Sequence, residues 1–157
     1  MTAGRIERRL DELGIRLGAV PPAVATYVPA KTVGSLVYTS GNDCRVDGVL
    51  MLAGKVGSDL TVEQGYAAAR QVAINLLAVL KEHLGELDRI KQVVKMLAFV
   101  NSADGFTRQP FVINGASDLL VEVFGEKGRH ARSALAANEL PFDTPVEIEL
   151  IVEVEEA

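Results

Sequence analysis

The sequence has no tryptophan, a single cysteine and only two histidines among its 157 residues. One cysteine cannot form an internal disulfide, and one cysteine with two histidines is too little for a thiolate-rich or histidine-rich metal site. Aromatic residues make up 5% of the chain, so surfaces on which nucleic-acid bases could stack are scarce. We therefore expect neither a disulfide scaffold nor a metal centre.

A basic surplus and long apolar runs are also missing. Lysine and arginine number 16 against 21 aspartates and glutamates, a net charge of −5. Because nucleic-acid binders present a basic face, we expect no nucleic-acid partner. No run reaches the roughly 18 apolar residues of a membrane-spanning helix, and the mixed charges of residues 1–18 are unlike a secretory signal. We expect no membrane contact and a cytoplasmic location.

The composition is that of one folded domain. Hydrophobic residues make up 48% and charged residues 24%, which excludes a disordered chain. A length of 157 residues fits one domain of about 100–200 residues and leaves no room for a second. We expect a helical extension over residues 1–20 and a single domain over residues 21–157.

Hydrophobic spacing predicts an α+β fold with two main helices on one face of a mixed sheet and a short helix at the N-terminus. A capping box from Thr61 to Gln64 opens the longest helix, and Gly85 ends it. The predicted helices are a short one that carries Ile6, Leu10 and Leu13 before Pro21-Pro22, one over residues 62–84 and one over 110–124; the predicted strands cover residues 24–30, 35–41, 49–52, 93–100, 131–137 and 146–154.

The segment 93–100 is apolar at almost every position. Such a run is typical of a strand that is buried on both faces, whereas a strand with one wet face alternates. Helices can cover one face. In a chain of this size, a second subunit is the simplest cover for the other.

Several short motifs follow one another in a characteristic order. Arg132-Ser133 on a strand precedes Leu140-Pro141 and then Glu147-Ile148-Glu149, while Tyr27 and Thr39-Ser40-Gly41 lie upstream. Over roughly residues 24–154, this order resembles the RidA/YjgF family, also called the reactive-intermediate deaminase or L-PSP family. Residues 112–120 and the N-terminal helix resemble a lesser-known branch of that family.

The resemblance implies both an assembly and an activity. The assembly is a homotrimer of chorismate-mutase-like subunits with ligand clefts at the interfaces. The activity is the hydrolysis of 2-imino or 2-enamino acids to 2-oxo acids and ammonia, without a cofactor, so the partner is a small carboxylate metabolite. Two alternatives stay open: a trimer that binds small carboxylates without chemistry, and the endoribonuclease of the L-PSP name, which the acidic charge disfavours.

Two charged residues would do the chemistry. The planar guanidinium of Arg132 can bind the substrate carboxylate through two parallel hydrogen bonds. Glu147 can position and activate water if burial raises its pKa. Each has a plainer alternative, since Arg132 could pair with Glu147 or Glu149 across the sheet, and the glutamates could form a solvated strand face.

The resemblance assigns the remaining site residues to binding. Tyr27 would close over the ligand, Ser40 and Gly41 would form the floor of the cleft, and the backbone amide of Ala134 would hold the carboxylate. Asn114 would reach the cleft from the neighbouring subunit. Ala134 replaces the cysteine of well-known members, so any thiol role is lost, and Asn42-Asp43-Cys44 replaces the usual Gln-x-Pro, which bears on the substrate range.

Two other reactive side chains have structural roles in this interpretation. Cys44 lies beside a turn and is expected to be a small spacer, since only Arg45 could lower the pKa of its thiol. His130 lies two residues before Arg132 and is expected to cap backbone groups instead of moving protons.

Overall fold

A five-stranded mixed sheet forms the centre of the computed structural model, which describes residues 2–23 and 25–156. The helices are α1 (Arg5–Glu12), α2 (Val62–Leu84) and α3 (Gln109–Phe124); the strands are β1 (Ala30–Val33), β2 (Leu36–Thr39), β3 (Arg45–Val46), β4 (Val49–Leu50), β5 (Ile90–Asn101), β6 (Ala131–Ala137) and β7 (Val146–Val154). Short 3-10 turns occupy Leu87–Arg89, Gly125–Gly128 and Pro141–Asp143.

The strand order in the sheet is β1-β2-β7-β5-β6. β5 pairs with β6 in parallel and with β7 antiparallel, so the sheet is mixed as expected. β3 and β4 form a separate hairpin, whose turn residues Asp47 and Gly48 have φ of 51° and 83°. Positive φ at both central turn positions explains the Asp-Gly pair.

One predicted strand is wrong. Residues 25–27 form a bend on the surface, and β1 begins only at Ala30. Pro29 has no amide to donate, and its carbonyl oxygen accepts instead from the Ser40 amide at 2.8 Å. Val24, the first residue of that prediction, lies outside the described residues. The predicted strands over 35–41 and 49–52 exist but end earlier, at Thr39 and Leu50.

The core lies between the sheet and the two long helices. Alternate residues of β7 are buried, from Val146 to Val154, and the residues between them face away from the helices. On β5, Met96 and Ala98 are fully buried, whereas Leu97 and Phe99 are only partly covered. In a single chain the second face of this apolar strand is therefore half open, and its cover by another subunit stays a prediction.

The two long helices cross at very short range. A Cβ atom added at Gly115 of α3 would lie 2.0 Å from the carbonyl oxygen of Tyr66 in α2. Because that neighbour is backbone, it cannot rotate away, so only glycine fits there. Gly115 weakens α3 as a helix, but it is required for the close packing of α3 against α2.

The N-terminal helix packs against the rest of its own chain. The backbone amides of Arg5 and Ile6 both donate to the Asp88 carboxylate at 2.8 Å, which caps the first turn of α1 from a distant part of the chain. Burial alone would raise the pKa of Asp88, but these hydrogen bonds and the charges of Arg5 and Arg8 hold that pKa below its usual value. The helix ends at Glu12, well before the proline pair.

Candidate functional site

A cavity of about 510 Å³ opens where β2 ends and the chain leaves the sheet. Tyr27, Ser40, Gly41 and Glu147, four of the residues that the sequence predicts for the site, line it. The first three come from the segments on either side of the β1–β2 hairpin, and Glu147 comes from β7. The fold therefore brings this half of the predicted site together within one chain.

Glu147 lies close against the loop that follows β2. A Cβ atom added at Gly41 would be 3.1 Å from the Cδ atom of Glu147 and 3.2 Å from its Oε2 atom. That spacing is tighter than ordinary van der Waals contact, so a larger residue at position 41 would press on the carboxylate. Gly41 is thus the residue that lets the acid lie at the cavity wall.

The surroundings of Glu147 favour its protonated form. Burial raises the pKa of this carboxyl group most, and the negative charges of Asp43 and Glu149 raise that pKa further. A carboxyl group with a raised pKa can exchange a proton with a ligand nearer to neutral pH than an exposed glutamate does. The sequence hypothesis for Glu147 thus has a geometric basis.

Ser40 shapes the cavity more than it offers a free hydroxyl group. Its Oγ donates to the carbonyl oxygen of Val28 at 2.7 Å, next to Tyr27. Tyr27 is 47% exposed and lines the cavity. The hydroxyl of Ser40 therefore holds the segment that carries the tyrosine.

Two cavity residues were not foreseen from the sequence. The guanidinium of Arg45 lies 4.7 Å from the ring centre of Phe142 and 3.6 Å from the Asp43 carboxylate. The amide of Asn75 in α2 donates to the carbonyl oxygens of Asp43 and Arg45, at 2.9 and 2.8 Å, and so fixes this loop. The Leu140-Pro141 pair in the sequence indicates the turn that carries Phe142. No local sequence pattern indicates that Arg45 lies at the cavity.

Arg132 lies on the other side of the sheet, against α3. Its Nη1 donates to Ser117 Oγ at 3.0 Å and its Nη2 to the carbonyl oxygen of Pro110 at 3.2 Å. The alternative ion pair with Glu147 or Glu149 is wrong, because β6 pairs with β5 and not with β7. Arg132 is half-buried on the edge strand, and its partners in the described part of the chain are a hydroxyl group and a carbonyl oxygen.

Asn114 and Ala134 belong to the same edge as Arg132. Asn114 lies on α3 about one turn from both Pro110 and Ser117, the two residues that Arg132 contacts. Ala134 is two residues beyond Arg132 on β6, so both side chains are on the same face of the strand. These residues form a second cluster, separate from the cavity.

The two clusters are too far apart to share a small ligand within one chain. In the ladder, Glu147 is opposite Phe99 on β5, and Arg132 is opposite Met96. Because those β5 residues are three apart, Arg132 and Glu147 point to opposite faces of the sheet. They are also separated by two strand spacings, roughly 10 Å.

The other singled-out side chains have structural surroundings. Cys44 is buried, and its thiol lies 3.5 Å from the carbonyl oxygen of Leu52, as a spacer would. His130 Nδ1 is 2.7 Å from the carbonyl oxygen of Gly128, which confirms the predicted backbone cap. Within residues 2–23 and 25–156 no cluster of three or more His, Cys, Asp or Glu is arranged to hold a metal ion. No helix in this part of the chain is long and apolar enough to cross a membrane.

Comparison with known proteins identifies the family. A family model described as "YjgF/chorismate mutase-like, putative endoribonuclease" matches residues 7–154. Protein TCP17 of Trypanosoma cruzi is 42% identical over 155 residues, which cover 98% of this chain and 97% of TCP17.

Solved structures agree with this match. The protein Atu1372 of Agrobacterium tumefaciens superposes with a TM-score of 0.89 at 44% identity, over 96% of this chain and 93% of its own. A "putative endoribonuclease" of Shewanella oneidensis superposes with a TM-score of 0.93 at 38% identity, over 96% and 100% of the two chains. The chain belongs to the YjgF (RidA, L-PSP) family and has its α+β fold.

Proposed function

We propose that the protein is a cofactor-independent deaminase that hydrolyses 2-imino and 2-enamino acids at clefts between the subunits of a homotrimer. The observation that carries this proposal is the half-buried Glu147, whose pKa is raised, in a cavity that it shares with Tyr27 and Gly41. The cytoplasmic location predicted from the sequence is part of the same proposal.

Hydrolysis of an imine requires a group that can both accept and donate a proton. Water adds to the C=N carbon of the imine, Glu147 accepts a proton from that water, and the same carboxyl group passes the proton to the nitrogen. The Glu147 carboxylate then takes the hydroxyl proton of the resulting carbinolamine and gives it to the amino nitrogen, so that the C=O bond forms as the carbon–nitrogen bond breaks, ammonia leaves, and the 2-oxo acid remains. One imine and one water give one 2-oxo acid and one ammonia.

Arg132 would anchor the substrate from a neighbouring copy of the chain. Within one chain, Arg132 and Glu147 point to opposite faces of the sheet, whereas a second copy can bring its own Arg132 edge to the cavity. The guanidinium would then hold the substrate carboxylate through two parallel hydrogen bonds. Partly covered Leu97 and Phe99, with exposed Leu135 beside them, offer apolar surface for such an assembly.

The proposed deaminase activity is tested by generating imines in situ with an amino-acid oxidase and following their decay. The wild-type protein should accelerate hydrolysis over buffer for at least one of several small and bulky side chains. Glu147→Gln should lower kcat by roughly 100-fold or more, as expected for loss of a general acid–base. Arg132→Ala should raise KM, and Glu155→Gln, an exposed glutamate just after β7, is the matched control that keeps full activity.

The same measurements separate the alternatives. No acceleration with any imine, combined with Arg132-dependent binding of 2-oxo acids, would select a carboxylate-binding trimer without chemistry. Degradation of RNA by the purified protein, lost in Glu147→Gln, would select the endoribonuclease activity. The cavity disfavours the latter because Asp43, Glu147 and Glu149 would repel a phosphate backbone.

A further inference from the structure

Two polar side chains, Ser117 and His130, form a row behind the candidate carboxylate anchor Arg132. Arg132 Nη1 is 3.0 Å from Ser117 Oγ, and Ser117 Oγ is 2.9 Å from His130 Nε2. The other ring nitrogen of His130, Nδ1, is 2.7 Å from the carbonyl oxygen of Gly128. The row therefore runs from the edge strand β6, through α3, to the Gly125–Gly128 turn.

The direction of each hydrogen bond follows from the chemistry of its ends. A guanidinium can only donate and a carbonyl oxygen can only accept, so Ser117 Oγ accepts from Arg132 and His130 Nδ1 carries a hydrogen. In a neutral imidazole, Nε2 then accepts, and the Ser117 hydroxyl donates to it. Met96 Sδ, 3.9 Å from Ser117 Oγ, is the weaker acceptor of the two.

The surroundings of the imidazole favour its neutral form. Burial lowers the pKa of His130, the hydrogen bond to Gly128 partly opposes this, and the charge of Arg132 lowers the pKa further. A charged ring would turn Nε2 into a donor and place a second positive charge next to the guanidinium. The neutral ring gives Ser117 a fixed acceptor.

The far end of the row is rigid. A Cβ atom added at Gly128 would lie 2.2 Å from the carbonyl oxygen of Leu120 in α3, so the turn and the helix are in direct backbone contact. The carbonyl that holds His130 is therefore fixed relative to the helix that carries Ser117.

We propose that Ser117 is a positioning residue, which links the guanidinium of Arg132 to His130 and so holds it ready for a carboxylate. This inference rests on the proposed function, in which Arg132 binds the substrate. Ser117 Oγ and the Pro110 carbonyl take one hydrogen from each of two guanidinium nitrogens, so about three of the five N–H groups stay available to a ligand. Because the Arg132 side chain is already ordered before the ligand arrives, binding loses less side-chain conformational entropy.

The test measures binding of pyruvate and benzoate by calorimetry, which needs no turnover. Ser117→Ala should weaken binding about tenfold, the size expected for one hydrogen bond to a charged group. Ser117→Thr, which keeps the hydroxyl, should restore most of it. Ser117→Ala should have no further effect in an Arg132→Ala background, because Ser117 acts through the arginine.

The outcomes separate this inference from the proposed function. If Arg132→Ala abolishes binding while folded Ser117→Ala binds normally, or if the two changes act additively, the role of Ser117 is refuted and the anchor stands. If Arg132→Ala binds as well as the wild type, both are refuted. Nitrogen NMR of the wild-type protein adds a check without mutation: His130 should carry its hydrogen on Nδ1, and a hydrogen on Nε2 alone would overturn the row.

Discussion

At the scale of single residues, glutamates on one strand differ in acidity because their neighbours differ. Glu147 lies in the cavity, where burial and two nearby carboxylates raise its pKa. Glu153, on the same face of β7, accepts a hydrogen bond from Gln92 and lies near Lys91, and both lower its pKa. The alternating pattern makes the two glutamates equivalent in sequence, but their surroundings shift their pKa values in opposite directions.

This difference predicts that removing the charge of Glu147 and removing the charge of Glu153 affect the stability of the fold differently. A carboxyl group whose folded pKa is raised favours the folded state while protonated, and that contribution is lost as pH rises through the folded pKa. Glu147→Gln should therefore unfold at a higher temperature than the wild type at pH 7, and the difference should shrink as pH falls towards about 4. Thermal unfolding over this pH range measures it.

Glu153→Gln is the matched control for that prediction. Since the folded pKa of Glu153 is lowered, its ionised form favours folding above the unfolded pKa, and the variant should gain no stability at pH 7. Equal gains in both variants would mean that the cavity does not set Glu147 apart. A gain in stability with a loss of activity in Glu147→Gln is the trade-off expected of a strained functional group.

At the scale of secondary structure, α3 is the element that connects helix packing to the proposed carboxylate anchor. It crosses α2 at Gly115, and it supplies the Ser117 hydroxyl and the Pro110 carbonyl that hold Arg132. A shift of this helix would move both fixed points of the guanidinium at once. Close helix packing is therefore a condition for an ordered anchor.

Gly115→Ala should destabilise the fold although alanine is the better helix former. The added Cβ atom would collide with the Tyr66 carbonyl, and forcing an extra methyl group into such a contact typically costs about 1–3 kcal/mol. Urea unfolding measures this cost, and binding of benzoate should weaken in parallel. Gly18→Ala is the control, since no described atom beyond Gly18 and its two chain neighbours lies within 4 Å of a Cβ atom there. Equal or greater stability of Gly115→Ala would contradict the close crossing.

At the scale of the whole molecule, the candidate site is split between two faces of one sheet. The cavity holds Tyr27, Gly41 and Glu147, and the edge beside α3 holds Arg132. The strand order and register of this chain place these halves apart, and a symmetric assembly can join the half of one copy to the half of another. Light scattering should accordingly give three times the 16.8 kDa mass of the chain.

Mixing two impaired variants, assayed at a substrate concentration too low to saturate Arg132→Ala, tests the shared cleft directly. Arg132→Ala and Glu147→Gln subunits, refolded together in equal amounts, should regain activity, because some clefts then combine an intact arginine with an intact glutamate. If the subunits assort at random, about a quarter of the clefts contain both an intact arginine and an intact glutamate. Each variant refolded alone is the control. No recovery in a mixed trimer would show that both groups act from the same subunit.

Local patterns were sufficient for some elements and misleading for others. The capping box and Gly85 define the ends of α2, because both act on adjacent backbone groups, and alternation defines β7 for the same reason. The strand predicted over residues 24–30 failed because Pro29 cannot donate to a ladder. Arg45 and Phe142 were missed because they meet only across the fold.

The amino-acid sequence by itself determined the α+β class and most of the helices and strands, since these depend on spacing and side-chain type, and it supplied the candidate site residues as a prediction. Only the tertiary structure decided which of those residues are neighbours. It placed Glu147 in the cavity and Arg132 on the opposite face beside Ser117, because face and strand order are set by long-range pairing of β5 with β6 and β7. Burial, the largest cause of the pKa shifts of Glu147 and His130, depends on the packing of distant segments, whereas smaller contributions from Glu149, Gly128 and Arg132 come from residues only two positions away.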